Sequence, residues 1–136
     1  MTGHQQNPTT GYNIKGDPAA AVNLEELCRA IGIKRVRVVD PYNLKGCEDA
    51  VLEELKIDEP SVIISRRPCV LLKYVKPKPP VTVDKDKCVG CRMCMKLGCP
   101  AISIKDKKAH IDFTQCVGCD VCEQLCRVNA IVKGER

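Results

Sequence analysis

The sequence predicts an α+β chain in two parts: a short parallel strand–helix–strand unit, then a small duplicated domain built on cysteine loops. Three observations predict it. Helix and strand signals alternate through residues 23–75, Lys76-Pro77-Lys78-Pro79-Pro80 interrupts them, and residues 81–136 repeat themselves at an offset of 28 around eight of the eleven cysteines. A chain of 136 residues holds one compact domain or two small ones, too little for a large enzyme fold with a deep pocket.

Residues 1 to about 22 are rich in Gly, Asn, Thr and Pro without apolar periodicity, and read as loop. Asn23 stands three places before Glu26, and Leu24, Leu27, Cys28 and Ile31 recur at helical spacing until Gly32 stops the helix. Arg35-Val36-Arg37-Val38-Val39-Asp40 alternates and is β-branched, which predicts a strand. A turn over Pro41–Leu44 leads to a second helix near Gly46–Ile57, with Val51, Leu52 and Leu55 on one face. After Pro60, Ser61-Val62-Ile63-Ile64-Ser65 reads as a strand buried on both sides. Two strands joined through a helix are expected to lie parallel, and a parallel sheet is covered on both faces. Two strands and two helices cannot cover themselves. Residues 1–75 are therefore expected to be the closing unit of a larger α/β sheet. Residues 76–80 are expected to form a semi-rigid polyproline spacer.

The repeat carries the chemistry. Val83-Asp84 precedes Cys88-Val89-Gly90-Cys91-Arg92-Met93-Cys94, and Ile111-Asp112 precedes Cys116-Val117-Gly118-Cys119-Asp120-Val121-Cys122. Each triplet is trailed by a fourth cysteine, Cys99 before Pro100 and Cys126 before Arg127. Each half then closes on an apolar strand, Ala101-Ile102-Ser103-Ile104 or Ala130-Ile131-Val132. Three thiolates at two-residue intervals let one loop reach three corners of an iron–sulfur cube. Gly90 and Gly118 let backbone N–H groups approach the sulfides. Zinc is the competing ligand, but a tetrahedral ion has no use for a third cysteine at that spacing in both halves.

Composition narrows the alternatives. About 8% cysteine demands disulfides or metal. The odd count, and the absence of a basic and apolar start in Met1–Asn7, favour metal and predict no secretory signal. No apolar run approaches the ~20 residues of a membrane helix. The net charge of +5 mixes 22 basic with 17 acidic residues and falls to about +1 with two oxidised all-cysteine cubes. A metal-stabilised nucleic-acid module is disfavoured because the basic stretches lack interleaved aromatics.

The cysteine region resembles the bacterial-type ferredoxin domain. In that two-cluster arrangement the fourth ligand of each cluster comes from the other half. The resemblance implies that cluster 1 uses Cys88, Cys91, Cys94 and Cys126, and cluster 2 uses Cys116, Cys119, Cys122 and Cys99. Two departures stand out: four residues separate Cys94 from Cys99, adding Gly98, and Arg127 replaces the proline after Cys126. Upstream, Met1-Thr2-Gly3-His4-Gln5-Gln6-Asn7-Pro8-Thr9-Thr10 is similar to a stretch of the thiamine-diphosphate domain of 2-oxoacid:ferredoxin oxidoreductases. Within that superfamily, Lys34–Tyr42, Pro60–Cys69 and the Cys-x4-Cys-Pro variant look most like the alpha subunit of the indolepyruvate type.

That resemblance implies oxidative decarboxylation of an aryl 2-oxo acid to an acyl-CoA, with single electrons passing through two 4Fe–4S clusters to an external ferredoxin. It also implies a beta subunit and the remaining thiamine-diphosphate domains as partners. The oxygen fragility of such clusters leads to an expected cytoplasmic setting, and neither nucleic acid nor membrane is an expected partner. Thiamine diphosphate and Mg belong to the complete enzyme only, because the Gly-Asp…Asn motif that holds them precedes the Met-Thr-Gly stretch in the family. The chain is thus expected to be a fragment or split subunit, not a complete catalyst, and no catalytic residue is assigned within it. The rival reading is a self-standing ferredoxin-like subunit of another redox complex.

Several residues are expected to play plainer parts. Cys28, Cys47 and Cys69 read as ordinary thiols. His4 and His110 read as a loop and a strand-start histidine. Arg66-Arg67 follow the second strand where α/β sheets bind ligands, but a solvated or intersubunit pair is the simpler reading. Lys105, Lys107 and Lys108 read most simply as a charged turn between the two halves, with a docking patch for an acidic ferredoxin as the alternative.

Overall fold

The computed structural model describes residues 7–70, 72 and 74–134. The chain divides into two compact units, residues 1–75 and 76–136.

In the first unit, residues 7–22 are turns and loop with a single bridge between Tyr12 and Pro18. Helix α1 (Leu24–Ala30) is capped by Asn23, whose side chain accepts from the Glu25 and Glu26 amides. Gly32, at φ +96°, ends it in a conformation that a side chain would resist. Strand β1 (Arg35–Val39) pairs in parallel with β2 (Ser61–Ser65), Arg35 opposite Ser61 and Val39 opposite Ser65. Between them lies α2 (Leu44–Glu54), which begins two residues earlier than its apolar pattern predicts. Asn43 is the reason: its Oδ1 accepts from the Gly46 amide at 3.0 Å.

Burial in this unit is shallow. Of α2 only Ala50 and Glu54 are buried, while Val51, Leu52 and Leu55 are 45%, 49% and 77% exposed. Val62, Ile63 and Ile64 are half-buried rather than enclosed, because the sheet has only two strands and two short helices beside it. Buried Glu54 is held by a bidentate pair with Arg35, at 2.7 and 3.1 Å, which lowers the Glu54 carboxyl below the usual range.

The second unit contains the hydrophobic core. It has β3 (Val81–Val83), a 3-10 helix (Met93–Leu97), β4 (Ile102–Lys105), β5 (Lys108–Ile111), α3 (Val121–Gln124) and β6 (Ile131–Lys133). Pairing is antiparallel, β3 with β6 and β4 with β5, so each two-stranded sheet takes one strand from each half of the repeat. The halves interlock instead of folding side by side. Val81, Ile102, Ala109 and Ile131 pack with buried Cys94 and Cys122 into one cluster. Asp106 and Lys107, at φ +50° and +64°, make the tight β4–β5 turn.

The proline-rich segment groups with this second unit. The Pro80 carbonyl accepts from the Gly134 amide at 3.0 Å, and Lys78 Nζ pairs with Asp120 Oδ2 at 3.0 Å. Among the described residues no helix is long and apolar enough to cross a membrane.

Candidate iron–sulfur centres

Each cysteine loop is launched by an aspartate. The Asp84 carboxylate accepts from the Asp86 and Lys87 amides at 3.0 and 3.3 Å, and its carbonyl accepts from the Cys88 amide at 3.0 Å. One repeat later, Asp112 accepts from the Thr114 amide, the Thr114 hydroxyl and Gln115 Nε2 at 2.9, 2.6 and 3.0 Å, and its carbonyl accepts from the Cys116 amide. These bonds hold the carboxylates charged; those from Thr114 and Gln115 pull Asp112 down to about 2. The amides of Asp84 and Asp112 donate to the Ala130 and Ala101 carbonyls, tying each loop's start to the residue just before β6 or β4. Neither aspartate stands out by residue type. The signal that singles them out is their shared place in the repeat.

The loops then turn through positive φ twice, at Gly90 and Arg92 (+68° and +61°) and at Gly118 and Asp120 (+64° and +62°). Only glycine fits at the first of these positions. A Cβ on Gly90 would collide with the Lys107 carbonyl, and one on Gly118 with the Pro79 carbonyl and with Lys78. Pro79 and Lys107 are themselves 28 residues apart, so the same backbone oxygen covers the glycine in both halves. Gly98, at φ +67° with open space around it, ends the 3-10 helix and absorbs the additional residue before Cys99.

The cysteines are brought together in two sets. Cys88, Cys91 and Cys94 of the first loop line one small, partly open pocket together with Cys126 from the second half. The rest of its wall is largely apolar, including Val83, Ile104, Ala109 and Ile131. Burial pushes the Cys94 thiol up, and Cys91, Cys126 and Cys88 add to the shift. Burial likewise pushes Cys122 up to about 12, with contributions from Cys119, Cys116 and, across the repeat, Cys99. Such sites resist bare thiolates and reward a bound cation that neutralises them. The Ala130 amide donates to Cys126 Sγ at 3.2 Å, the kind of bond that offsets sulfur charge beside a cluster.

All eleven cysteines are free thiols, so no sulfur is diverted into a disulfide. Among the described residues no three His, Cys, Asp or Glu side chains converge tightly enough for a single metal ion. A zinc ion draws its sulfurs to within about 3.8 Å of one another, given Zn–S bonds of about 2.3 Å. A cube holds its thiolates at the corners of a larger tetrahedron. The donor set fits a 4Fe–4S cluster at each place, and at the first the lining is apolar as well.

The remaining candidates lie elsewhere. Cys28 and Cys47 are half-buried, Cys69 is exposed, and Cys47 Sγ hydrogen-bonds the Asp40 carbonyl at 3.2 Å. His110 lies on β5 opposite Ser103, while His4 falls outside the described residues. Arg66 pairs with Glu25 at 2.6 Å. Arg67 pairs with Asp40 and stacks 3.9 Å from the Tyr42 ring centroid. Both arginines are engaged within their own unit.

Residues 109–132 match the family described as 4Fe-4S binding domain. Over 98% of its length the chain is 39% identical to the indolepyruvate oxidoreductase subunit IorA of Pyrococcus horikoshii, of which it covers 22%. It is 36% identical over 96% of its length to IorA of Methanothermobacter marburgensis and 35% over 96% to IorA of Archaeoglobus fulgidus, covering 21% and 22% of them. The chain resembles this subunit from end to end and spans about a fifth of the length of these relatives.

Proposed function

We propose that this chain is the C-terminal part of an indolepyruvate:ferredoxin oxidoreductase alpha subunit and that it conducts electrons through two 4Fe–4S clusters. Cluster 1 is held by Cys88, Cys91, Cys94 and Cys126, and cluster 2 by Cys116, Cys119, Cys122 and Cys99. The observation that carries this reading is the gathering of each loop's three cysteines with one cysteine from the opposite half, in apolar surroundings. The end-to-end likeness to IorA supports the enzyme context.

When bound, each cluster supplies a one-electron acceptor site. The chain's own residues do the rest. Asp84 and Asp112 fix where the ligand loops begin. Gly90 and Gly118 let the Lys107 and Pro79 carbonyls pack against the ligand loops, and Ile102, Ala109 and Ile131 would keep water from bound clusters. The exposed apolar side chains of α1 and α2, with the half-buried β1–β2 sheet, fit burial against the thiamine-diphosphate domains of the complete enzyme, where the 2-oxo acid is decarboxylated. A beta subunit and an external ferredoxin complete that scheme.

Anaerobic purification tests the reading. A brown protein with about eight irons and eight sulfides per chain is expected. Two zincs and no sulfide would refute it.

A further inference from the structure

The two cysteine loops share a backbone but differ in cover and charge. In the second loop Gly118 is buried under Lys78 and Pro79, Val117 and Cys119 are half-buried, and Asp120 is neutralised by Lys78. In the first loop Val89 is 68% exposed, and Cys91 and Arg92 are exposed as well. Arg92 occupies the position that Asp120 holds in the second loop, at the same backbone conformation, so the sign of the charge is inverted.

The surroundings extend that difference. The Lys107 carbonyl lies over Gly90, placing the basic β4–β5 turn against the first loop. Lys108 Nζ bonds the Lys85 carbonyl, which brings the segment before Cys88 to the same turn. Lys85, Arg92 and Lys107 are all exposed here. Of the acidic residues nearby, Asp84 is paired with Lys87, which leaves Asp86 and Asp106 against them. Val89 and the exposed Val128 form an apolar rim on the cysteine-lined cavity.

We infer that the first cysteine loop is the docking face for an acidic one-electron carrier protein, with Val89 at the centre and Arg92, Lys107 and Lys85 around it. The inference rests on the two-cluster reading above and adds which cluster exchanges electrons with the carrier. An exposed apolar centre ringed by basic side chains suits a transient partner of opposite charge, whose encounter rate the ring raises. In the exchange one electron leaves the reduced cluster and reduces the oxidised carrier, and no bond is made or broken.

The test uses the full chain, cluster-loaded and reduced with dithionite, mixed with an acidic plant-type ferredoxin whose two-iron centre is spectroscopically distinct. Arg92→Glu and Lys107→Glu are expected to lower the second-order transfer rate at low salt tenfold or more, and to flatten its decline with salt. Lys133→Glu, the same charge change outside the loop, is expected to change the rate less than twofold. Equal losses in all three variants would overturn the inference, as would unchanged rates in the first two. Iron content and cluster EPR are measured on every variant. Should Arg92→Glu fail to load, Arg92→Gln replaces it, with an intermediate loss expected and no loss contradicting the inference. A wild-type chain that binds no iron–sulfur overturns the underlying reading. A loaded, reducible chain indifferent to loop charge overturns the docking face alone.

Discussion

Asp84 and Asp112 illustrate how far single residues set the site. Each uses its carboxylate to hold the turn that follows it and its carbonyl to hold the first cysteine of the loop. Asp112 sits at about 2, below an ordinary carboxylate of about 4, so it favours the folded chain above pH ~4 and loses that effect as pH falls towards 2. Denaturation of wild type and Asp112→Asn should therefore show a stability gap near pH 6 that narrows across this window; a gap that widens on acidification would contradict the assignment. The crossed wiring makes a second residue-scale prediction. Cys99→Ala should damage the cluster held by Cys116, Cys119 and Cys122 and leave the one formed by its nearer neighbours, as read by EPR and iron content. The cysteines were legible in the sequence because their spacing is itself the chemistry. The aspartates were visible only as members of the repeat, since hydrogen bonds to backbone amides leave no pattern of their own.

At the scale of elements, the segment Lys76–Pro80 shows where composition misleads. Its prolines predict an extended spacer, yet Lys78, Pro79 and Pro80 pack on the second cysteine loop and on Gly134. The 28-residue offset, carried upstream of Val81, would have paired Pro79 with Lys107 and exposed this role. Gly118→Ala should test the packing. It forces a side chain into positive φ and against a backbone oxygen, costing about 2 kcal/mol or more and loosening cluster 2. Faster bleaching of that cluster in air, relative to Gly90-side spectroscopic signals, is the readout. The helices and strands of residues 23–65 were legible from periodicity and β-branching. The start of α2 was not, because Asn43 acts through its side chain and not through apolar spacing. Asn43→Ala should cost this helix about 1 kcal/mol, measurable as faster amide exchange across Leu44–Ala50.

The whole molecule joins a unit with its own core to one without. Buried apolar side chains concentrate in residues 81–131, whereas residues 23–65 bury only Ala50 and Glu54 among the described residues. Half-buried parallel strands and helices with exposed apolar side chains fit the proposal that this unit packs against other parts of a larger protein, as does coverage of about a fifth of the IorA relatives. Hydrogen exchange on the loaded chain should reflect this. The β1 and β2 amides are expected to exchange at least tenfold faster than those of β4 and β5, a gap of about 1.4 kcal/mol or more in opening free energy. Comparable protection in both units would argue for a self-sufficient first unit. The central claim is the pair of cubes shared crosswise between interlocked halves. Diffraction at the iron absorption edge from anaerobically grown crystals tests it most directly. The account predicts two four-iron centres, one bonded to Cys88, Cys91, Cys94 and Cys126 and the other to Cys116, Cys119, Cys122 and Cys99. Single ions, or cubes ligated wholly within one half, would contradict it.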